Sequence, residues 1–407
     1  MACFLYAWEL GASLGHIGRF EPVAQQLAQD GHRVSFVVRE TQACPLLLGE
    51  RHAWMQAPRF DGAPALAAPV NYADILAGVG YADPDVLMGL TVAWRSLLQL
   101  VRPELVFADH APTAILAART LGIPVMMYGS GFSDPPARSP FPPMRSWEAV
   151  DEGQLAVREG AVLGVVNAVL ARLKAAPLAH LYELFDVAEK GLVTLPGLDH
   201  YAGRGAVRYW GMPTCLAGAA PAPVAWPTGA GPRIFAYLRQ PRPVAAAMME
   251  AIGRSGSPSI VYVPDWRGDV ELPSNVAVSR APLDLARMTR EADIAIAHGI
   301  ATLGAFLMAG KPVLAVVYHL EQFLVAMRIA QLGAGLVLRA DGQAGDIGPA
   351  LTRLRHDDAL AQRAREFASR CAGFGHDAVV AAICARALAL ARVSGAGRHA
   401  EASPARD

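Results

Sequence analysis

Short apolar runs spaced by longer mixed segments set the pattern of this chain. Residues 2–7, 33–38, 105–108 and 123–128 are such runs, and each predicts a strand. Helical stretches fall between them. One lies near Arg19–Gln29 and is closed by Asp30-Gly31. Another, Ala114 to Thr120, stops before Gly122-Ile123-Pro124. A third covers 152–187, with apolar positions at Leu155, Val162, Val165, Val166, Val169, Leu170 and Leu173. Alternating strand and helix predicts a parallel sheet wrapped by helices. Residues 58–86 and 130–150, rich in Pro, Gly and Asp, predict long loops at the strand ends, where α/β folds bind ligands.

The pattern begins again after a break. Gly211 to Pro232 is full of Gly, Pro and Ala and nearly free of charge, which marks a linker. Strands follow at 234–238, 259–263, 276–278, 293–297, 313–317 and 335–338, and a helix at 376–392 closes the series. The organisation expected is a first α/β domain over 1–215, a linker over 216–232 and a second α/β domain over 233–392. Residues 393–407 are polar and expected to form a flexible tail.

Composition narrows the function classes. The 407 residues suit two domains, and an apolar fraction of 53% gives ample core material. The 36 basic residues balance the 36 acidic ones, which argues against an electrostatic nucleic-acid surface. Five scattered cysteines (Cys3, Cys44, Cys215, Cys371, Cys384) fit buried thiols in a reducing cytoplasm, without zinc spacing or a disulfide framework. The N-terminus lacks a basic region and carries Glu9, so it reads as a core strand, not a signal peptide. The longest apolar helix stretch, Gly160 to Leu170, is too short to span a membrane.

Candidate chemistry concentrates in one segment. Asp293 to Ala297 reads as a strand, His298-Gly299 as a turn, and Thr302 to Met308 as a helix ended by Gly310. Such a turn aims free backbone N–H groups and the positive end of a helix at one spot, which suits a diphosphate. A histidine at its lip adds a hydrogen bond or a charge. After the next strand, at Pro312 to Val317, Glu321 and Gln322 can reach polyhydroxyl groups or cap a helix.

This segment resembles the donor-binding signature of the family 1 glycosyltransferases of GT-B type, which use nucleotide-sugars. His298, Gly299, Thr302, Leu307, Gly310, Pro312, Glu321 and Gln322 match it. Ile300 stands where the family has a second glycine, Ala305 where it has a glutamate for the ribose, and Val325 where asparagine is common. A second match lies in Gly11-Ala12-Ser13-Leu14-Gly15-His16-Ile17-Gly18. In the family, a Gly-His after the first strand supplies the general base, and an aspartate after a later strand is its partner. His16 and Asp109 match those positions, with His110 a rival for the second.

The resemblance implies the GT-B fold: two Rossmann-like domains with parallel sheets facing across a central cleft. It implies an inverting, metal-independent transferase of the bacterial small-molecule or macrolide kind. Sugar would move from a UDP- or TDP-sugar to a hydroxyl of a small, fairly apolar acceptor. His298, Gly299, Ala301 and Thr302 would hold the diphosphate, Arg239 would add charge, Glu321 and Gln322 would bind the sugar, and Pro282 and Leu283 the nucleobase. Gly15, Ser130 and Gly131 are candidate sugar or acceptor contacts. The expected protein is cytoplasmic, a monomer or homodimer, without cofactor, nucleic acid or transmembrane segment.

Other readings compete. Gly11-x₃-Gly-x₂-Gly has the wrong spacing for a dinucleotide fingerprint. Asp83-Pro84-Asp85 has the form of a metal-binding pair but is common in turns. Gly129-Ser130-Gly131 lacks the first glycine of a nucleophile elbow. A non-catalytic auxiliary protein of the same fold, or a GT-B nucleotide-sugar epimerase, are the alternative functions.

Overall fold

The computed structural model describes residues 1–11, 15–42, 44–62, 68–201, 203–213, 224–238, 243–266, 271–339 and 346–401. The chain divides into two compact units. The first comprises Met1–Thr194, His200–Pro213 and Asp377–Asp407; the second comprises Leu195–Asp199 and Thr214–His376.

The first unit holds strands β1 (Cys3–Trp8), β2 (Arg33–Val38), β3 (Ala53–Gln56), β4 (Leu105–Asp109) and β5 (Val125–Met127). Their order is β3-β2-β1-β4-β5, all parallel. β1 and β4 are buried at every residue, as central parallel strands covered on both faces must be. Sequence reading missed β3 for a physical reason. It is a four-residue edge strand whose side chains are mostly exposed, so selection leaves no apolar run there. Phe4, Tyr6, Phe20, Phe36, Phe107 and Tyr128 are fully buried and fill the core beneath the strand ends. Within it the Tyr6 and Phe20 rings stack at 4.3 Å.

The second unit holds β6 (Ile234–Tyr237), β7 (Ser259–Tyr262), β8 (Val276–Ser279), β9 (Ile294–Ala297), β10 (Val313–Val317) and β11 (Gly335–Arg339). The order is β11-β10-β9-β6-β7-β8, again all parallel. All six were expected from the apolar runs. Ile234, Val261, Ile296, Leu314 and Val316 from the sheet pack with Met248, Ile252, Leu351 and Leu354 from helices. In both units the strand order reverses once, between β1 and β4 and between β6 and β9. Loops leaving those strand pairs diverge to opposite faces and open a crevice at their C-terminal ends.

Several expectations need correction. The first helix spans Gly15–Gln29, so His16 lies in its first turn and not in a preceding loop. The 58–86 segment is not one loop, because Tyr72–Leu76 and Ala77–Tyr81 are helical. It is bonded to the 130–150 segment: Met144 N–H donates to the Val70 carbonyl (2.8 Å) and Asn71 Nδ2 to the Phe141 carbonyl (3.1 Å). Buried Glu159 accepts from Ser139 Oγ (2.7 Å) and Phe141 N–H (2.5 Å), so a helix also pins this layer. That helix, Glu152–Arg172, is long and apolar enough to cross a membrane by length and composition. Its Leu155, Val162, Val166, Val169 and Leu170 are buried in the first unit, which accounts for its apolar face.

The part of the expected linker within the described residues, 224–232, is docked on the second unit. Arg287 donates to the Val224 carbonyl (3.1 Å), and Trp226 Nε1 donates to Glu291 (2.7 Å). The last helix, His376–Glu401, runs past the expected boundary at 392 and belongs to the first unit. Buried Ile383, Cys384, Ala387 and Ala391 explain why: their apolar face is covered there. Cys384 Sγ reaches the Val23 carbonyl at 3.7 Å, and Arg386 pairs with Glu189 at 2.5 Å. Cys3, Cys44, Cys371 and Cys384 are buried free thiols, and burial pushes the Cys384 thiol up to about 12.

Candidate active site

Both clusters of candidate residues lie at the points where strand order reverses. In the first unit, β1 leads through Gly11 into the helix that begins at Gly15, and β4 ends at Asp109. Strand pairing sets Trp8 opposite Asp109, which brings His16 to the carboxylate. His16 Nδ1 lies 2.9 Å from Asp109 Oδ2. The same carboxylate accepts from Tyr6 Oη at 2.7 Å and from Arg19 Nη2 at 3.1 and 3.3 Å.

Asp109 is 1% exposed. Burial alone raises its pKa, but His16, Arg19 and the Tyr6 hydroxyl outweigh burial and hold it well below the usual carboxylate range. A buried carboxylate that stays ionised fixes a proton on His16 Nδ1. Nε2 is then the free, basic nitrogen. The imidazole stacks on Trp8 at 4.7 Å. The Tyr6 hydroxyl lies within hydrogen-bond distance of both Asp109 Oδ2 (2.7 Å) and the His16 carbonyl (2.9 Å), and its single proton serves one of them at a time.

Gly11 decides where Nε2 can act. It has φ +88°, a region that favours glycine, and a Cβ on it would come within 2.9 Å of His16 Nε2. The missing side chain removes a Cβ that would crowd that nitrogen. On the far side of β4, Gly129–Asp134 is locked by Arg204, which donates to the Gly131 carbonyl (2.8 Å) and to the Asp134 carbonyl. Ser130 is buried and accepts on its carbonyl from Ser133 Oγ (3.2 Å). Ser130 and Gly131 thus shape the wall through backbone bonds.

Glu9 was read only as a break in an apolar run. It is 3% exposed, and its Oε2 accepts from Thr113 N–H (2.8 Å) and Ala114 N–H (3.4 Å). It caps the helix Pro112–Thr120, whose own N-cap residue Ala111 offers no side-chain acceptor. Desolvation pushes the Glu9 carboxyl up from 4.5 to about 7, against those hydrogen bonds and Arg39. Between about 4.5 and 7 the native state keeps a proton that the unfolded state has released. Stability therefore falls as pH rises through that window and levels off above it. Glu9→Gln keeps an acceptor for both N–H groups and removes the titration. Its unfolding free energy should gain on wild type from pH 5 to pH 8, by up to the order of 3 kcal/mol, with a matching gain in melting temperature. Parallel melting curves across that range would refute the role.

In the second unit, β9 ends at Ala297 and the helix Ile300–Met308 begins after Gly299. No side chain caps that helix, and its first backbone bond runs from Leu303 N–H to the Gly299 carbonyl. The N–H groups of Ile300, Ala301 and Thr302 have no intrahelical partner by the geometry of a helix start. Gly299 has an ordinary φ of −81°, and a Cβ there would meet nothing closer than Thr302 Oγ1 at 3.6 Å. Neither strain nor crowding requires glycine. His298 stands at the lip, 8% exposed, its Nδ1 3.2 Å from the Tyr237 carbonyl.

Three tyrosines that sequence reading passed over continue this edge. Tyr262, Tyr237 and Tyr318 end or follow β7, β6 and β10. The Tyr237 ring lies 4.8 Å from Tyr262 and 4.3 Å from His298, and the His298 ring lies 5.6 Å from Tyr318. The signal was present in the sequence as an aromatic residue at the polar end of each apolar run. Gln322 Oε1 accepts from Tyr318 N–H (2.9 Å), which ties the first turn of the helix Leu320–Gln331 back to the end of β10. Glu321 lies in the first turn of that helix. Pro282 is exposed and Leu283 half-buried just past β8, three strands from β9. Arg239 lies outside the described residues.

The Asp83-Pro84-Asp85 motif is a helix start. Asp83 caps Pro84–Val101 through the N–H groups of Asp85 (2.7 Å) and Val86 (3.2 Å), and Asp85 pairs with Arg172 at 2.6 Å.

No family model and no curated protein sequence matches the chain. Solved structures do. The spinosyn forosaminyltransferase SpnP aligns over 96% of this chain and 99% of its own, with TM-score 0.64 and 20% identity. The glycotransferase of kitacinnamycin aligns over 95% and 98%, with TM-score 0.67 and 17% identity. SsfS6 from Streptomyces sp. SF2575, complexed with thymidine diphosphate, aligns over 94% and 99%, with TM-score 0.64 and 18% identity. These likenesses establish that the chain has the GT-B glycosyltransferase fold.

Proposed function

We propose that the chain is an inverting glycosyltransferase that uses a UDP- or TDP-sugar and a hydroxyl on a small, fairly apolar acceptor, without a metal ion. The observation that carries this reading is the pair of His16 and Asp109, with its carboxylate kept ionised and no side chain on Gly11 to crowd Nε2. The acceptor hydroxyl gives its proton to His16 Nε2 as its oxygen forms a bond to the anomeric carbon. The bond from that carbon to the diphosphate breaks, and its electron pair leaves with the nucleotide. One displacement inverts the configuration. Asp109 stabilises the imidazolium that results.

The departing charge is met by the uncapped N–H groups at Ile300, Ala301 and Thr302, with His298 beside them. Gly299 puts no side chain between a phosphate and the backbone. These fixed donors take the place of a cation in this reading. Glu321 and the Gln322 amide supply acceptors and donors for sugar hydroxyls. Pro282 and Leu283 lie at the far edge of the sheet from His298, roughly 14 Å away across three strand spacings, and we assign the nucleobase there. Structural neighbours with thymidine diphosphate support the choice of donor class.

The test is turnover of UDP- and TDP-sugars in EDTA, with and without apolar alcohols and phenols, followed by the anomeric configuration of the product. Acceptor-dependent release of nucleoside diphosphate with inversion is expected. A retained configuration, a strict need for a divalent cation, or an epimerised sugar without transfer would each overturn the reading.

His298→Ala should weaken nucleoside diphosphate binding. A hydrogen bond to a charged group contributes about 1.5–3 kcal/mol, so the loss should be on the order of ten- to a hundredfold. Calorimetry with the nucleoside alone is the control, since it carries no phosphate. Equal losses for nucleoside and diphosphate would show that His298 only shapes the strand end.

A further inference from the structure

The imidazole of His16 is held at an edge and on a face. Asp109 takes the edge, at Nδ1, 2.9 Å away. His110, the rival for that place, has a left-handed backbone at φ +47° and packs its ring against Tyr72 and Phe132. Trp8 covers the face, with ring centroids 4.7 Å apart and planes 14° from parallel. This tryptophan ends β1 and is buried. Its Nε1 donates to the Leu10 carbonyl at 2.7 Å, which fixes the indole in its plane.

We propose that Trp8 is a positioning residue for sugar transfer, whose indole face holds the His16 ring and stabilises its charge as the acceptor hydroxyl gives up its proton. This rests on the reading of His16 as general base. The proton passes from the hydroxyl to His16 Nε2, and Trp8 itself gains and loses nothing. Its contact with the ring strengthens as the imidazole becomes an imidazolium. An interaction that grows on the way to the transition state lowers the barrier.

Charge balance supports the assignment. Asp109 brings one negative charge to the cluster, and Arg19 already answers it with one positive charge. A proton on His16 leaves the three side chains with an excess positive charge. Each of them is 12% exposed or less, so water does little to solvate that excess. An aromatic face carries negative potential. It attracts a cation within about 6 Å of its centroid, most strongly for tryptophan and where both partners are desolvated. The near-parallel stack meets both conditions and lays the imidazole flat on the indole.

Trp8→Phe keeps an aromatic face and Trp8→Leu removes it. Both lose the bond to the Leu10 carbonyl, so that loss cancels between them. With an apolar alcohol as acceptor, single-turnover transfer at saturating donor should fall on the order of tenfold in Trp8→Leu, and Trp8→Phe should keep most of the rate. Affinity for nucleoside diphosphate should stay within about twofold of wild type, about 0.4 kcal/mol. A nitrophenol acceptor needs little help from a base, and with it the loss in Trp8→Leu should shrink. In a His16→Ala background, where no imidazolium forms, Trp8→Leu should cost about twofold or less. If the Leu variant does not fold, Trp8→Met fills more of the same volume without an aromatic face and replaces it. Equal losses in the Phe and Leu variants, or a full loss in the His16→Ala background, would show that Trp8 only packs the strand end and would overturn the proposal. So would wild-type transfer in Trp8→Leu. If His16→Ala itself transfers normally, the base assignment fails and the proposal falls with it. If His16→Ala is inactive while Trp8→Leu is normal, only the role of the indole is refuted.

Discussion

His16→Ala should lower the transfer rate by roughly 10²–10⁴, the usual cost of losing a general base. Nucleoside diphosphate affinity should stay near wild type, because the diphosphate-binding residues assigned above lie in the other unit. The fold should tolerate the change. Tyr6 Oη stays within reach of the Asp109 carboxylate, and Arg19 remains paired with it, so the site keeps its frame without the ring. Single-turnover transfer with saturating donor measures the effect directly. Near wild-type turnover would remove the chemical core of the proposed function.

Asp109→Asn should do more damage, in rate and in stability together. An amide gives His16 no fixed charge and can present an N–H to Nδ1, which selects the wrong tautomer. In acid–base pairs of this kind that exchange costs on the order of 10⁴ in rate. Arg19, 12% exposed, also loses its counter-charge, and breaking such a buried pair typically costs about 3–5 kcal/mol. The sign of the pH dependence follows from the depressed pKa of Asp109. Its contribution is complete above the unfolded carboxylate value, about 3.9, and is lost as pH falls toward the lower folded value. The melting-temperature gap between wild type and Asp109→Asn should be full at pH 7 and begin to close below about pH 4. A gap that is the same at pH 3 and pH 7 would mean that the ionised carboxylate is not what stabilises the site.

How legible was this site in the sequence? The strands of both sheets were readable because parallel strands covered on both faces must be short and apolar. Only β3 escaped, as an exposed edge. His16 and Asp109 were found by a likeness at two motif positions, and the structure brings them together at 2.9 Å. Their support was not found. Tyr6 lies 103 residues from Asp109 and Arg19 lies 90, and no local pattern announces a partner at such a distance. Arg19 did leave a trace, three residues after His16 and so on the same face of one helix. That trace was hidden because the helix was expected to begin at Arg19 instead of Gly15. His110 was legible only as a neighbour of Asp109. The positive φ that sends its side chain elsewhere is a property of the backbone, and histidine does not declare it in sequence.

The placement of the last helix bears on how the protein is made. Residues of His376–Glu401 follow the whole second unit in the chain, yet their Cys384 and Arg386 complete the first unit at Val23 and Glu189. During synthesis, then, the second unit leaves the ribosome whole while the first still lacks a wall. For the time needed to translate residues 214–376, the apolar surface that Ile383 and Ala387 later cover faces water or a chaperone. The first unit is the earlier half by order of translation and the later one to finish folding. A fragment ending near residue 213 would carry every residue of the His16 pair and still expose that unclosed face.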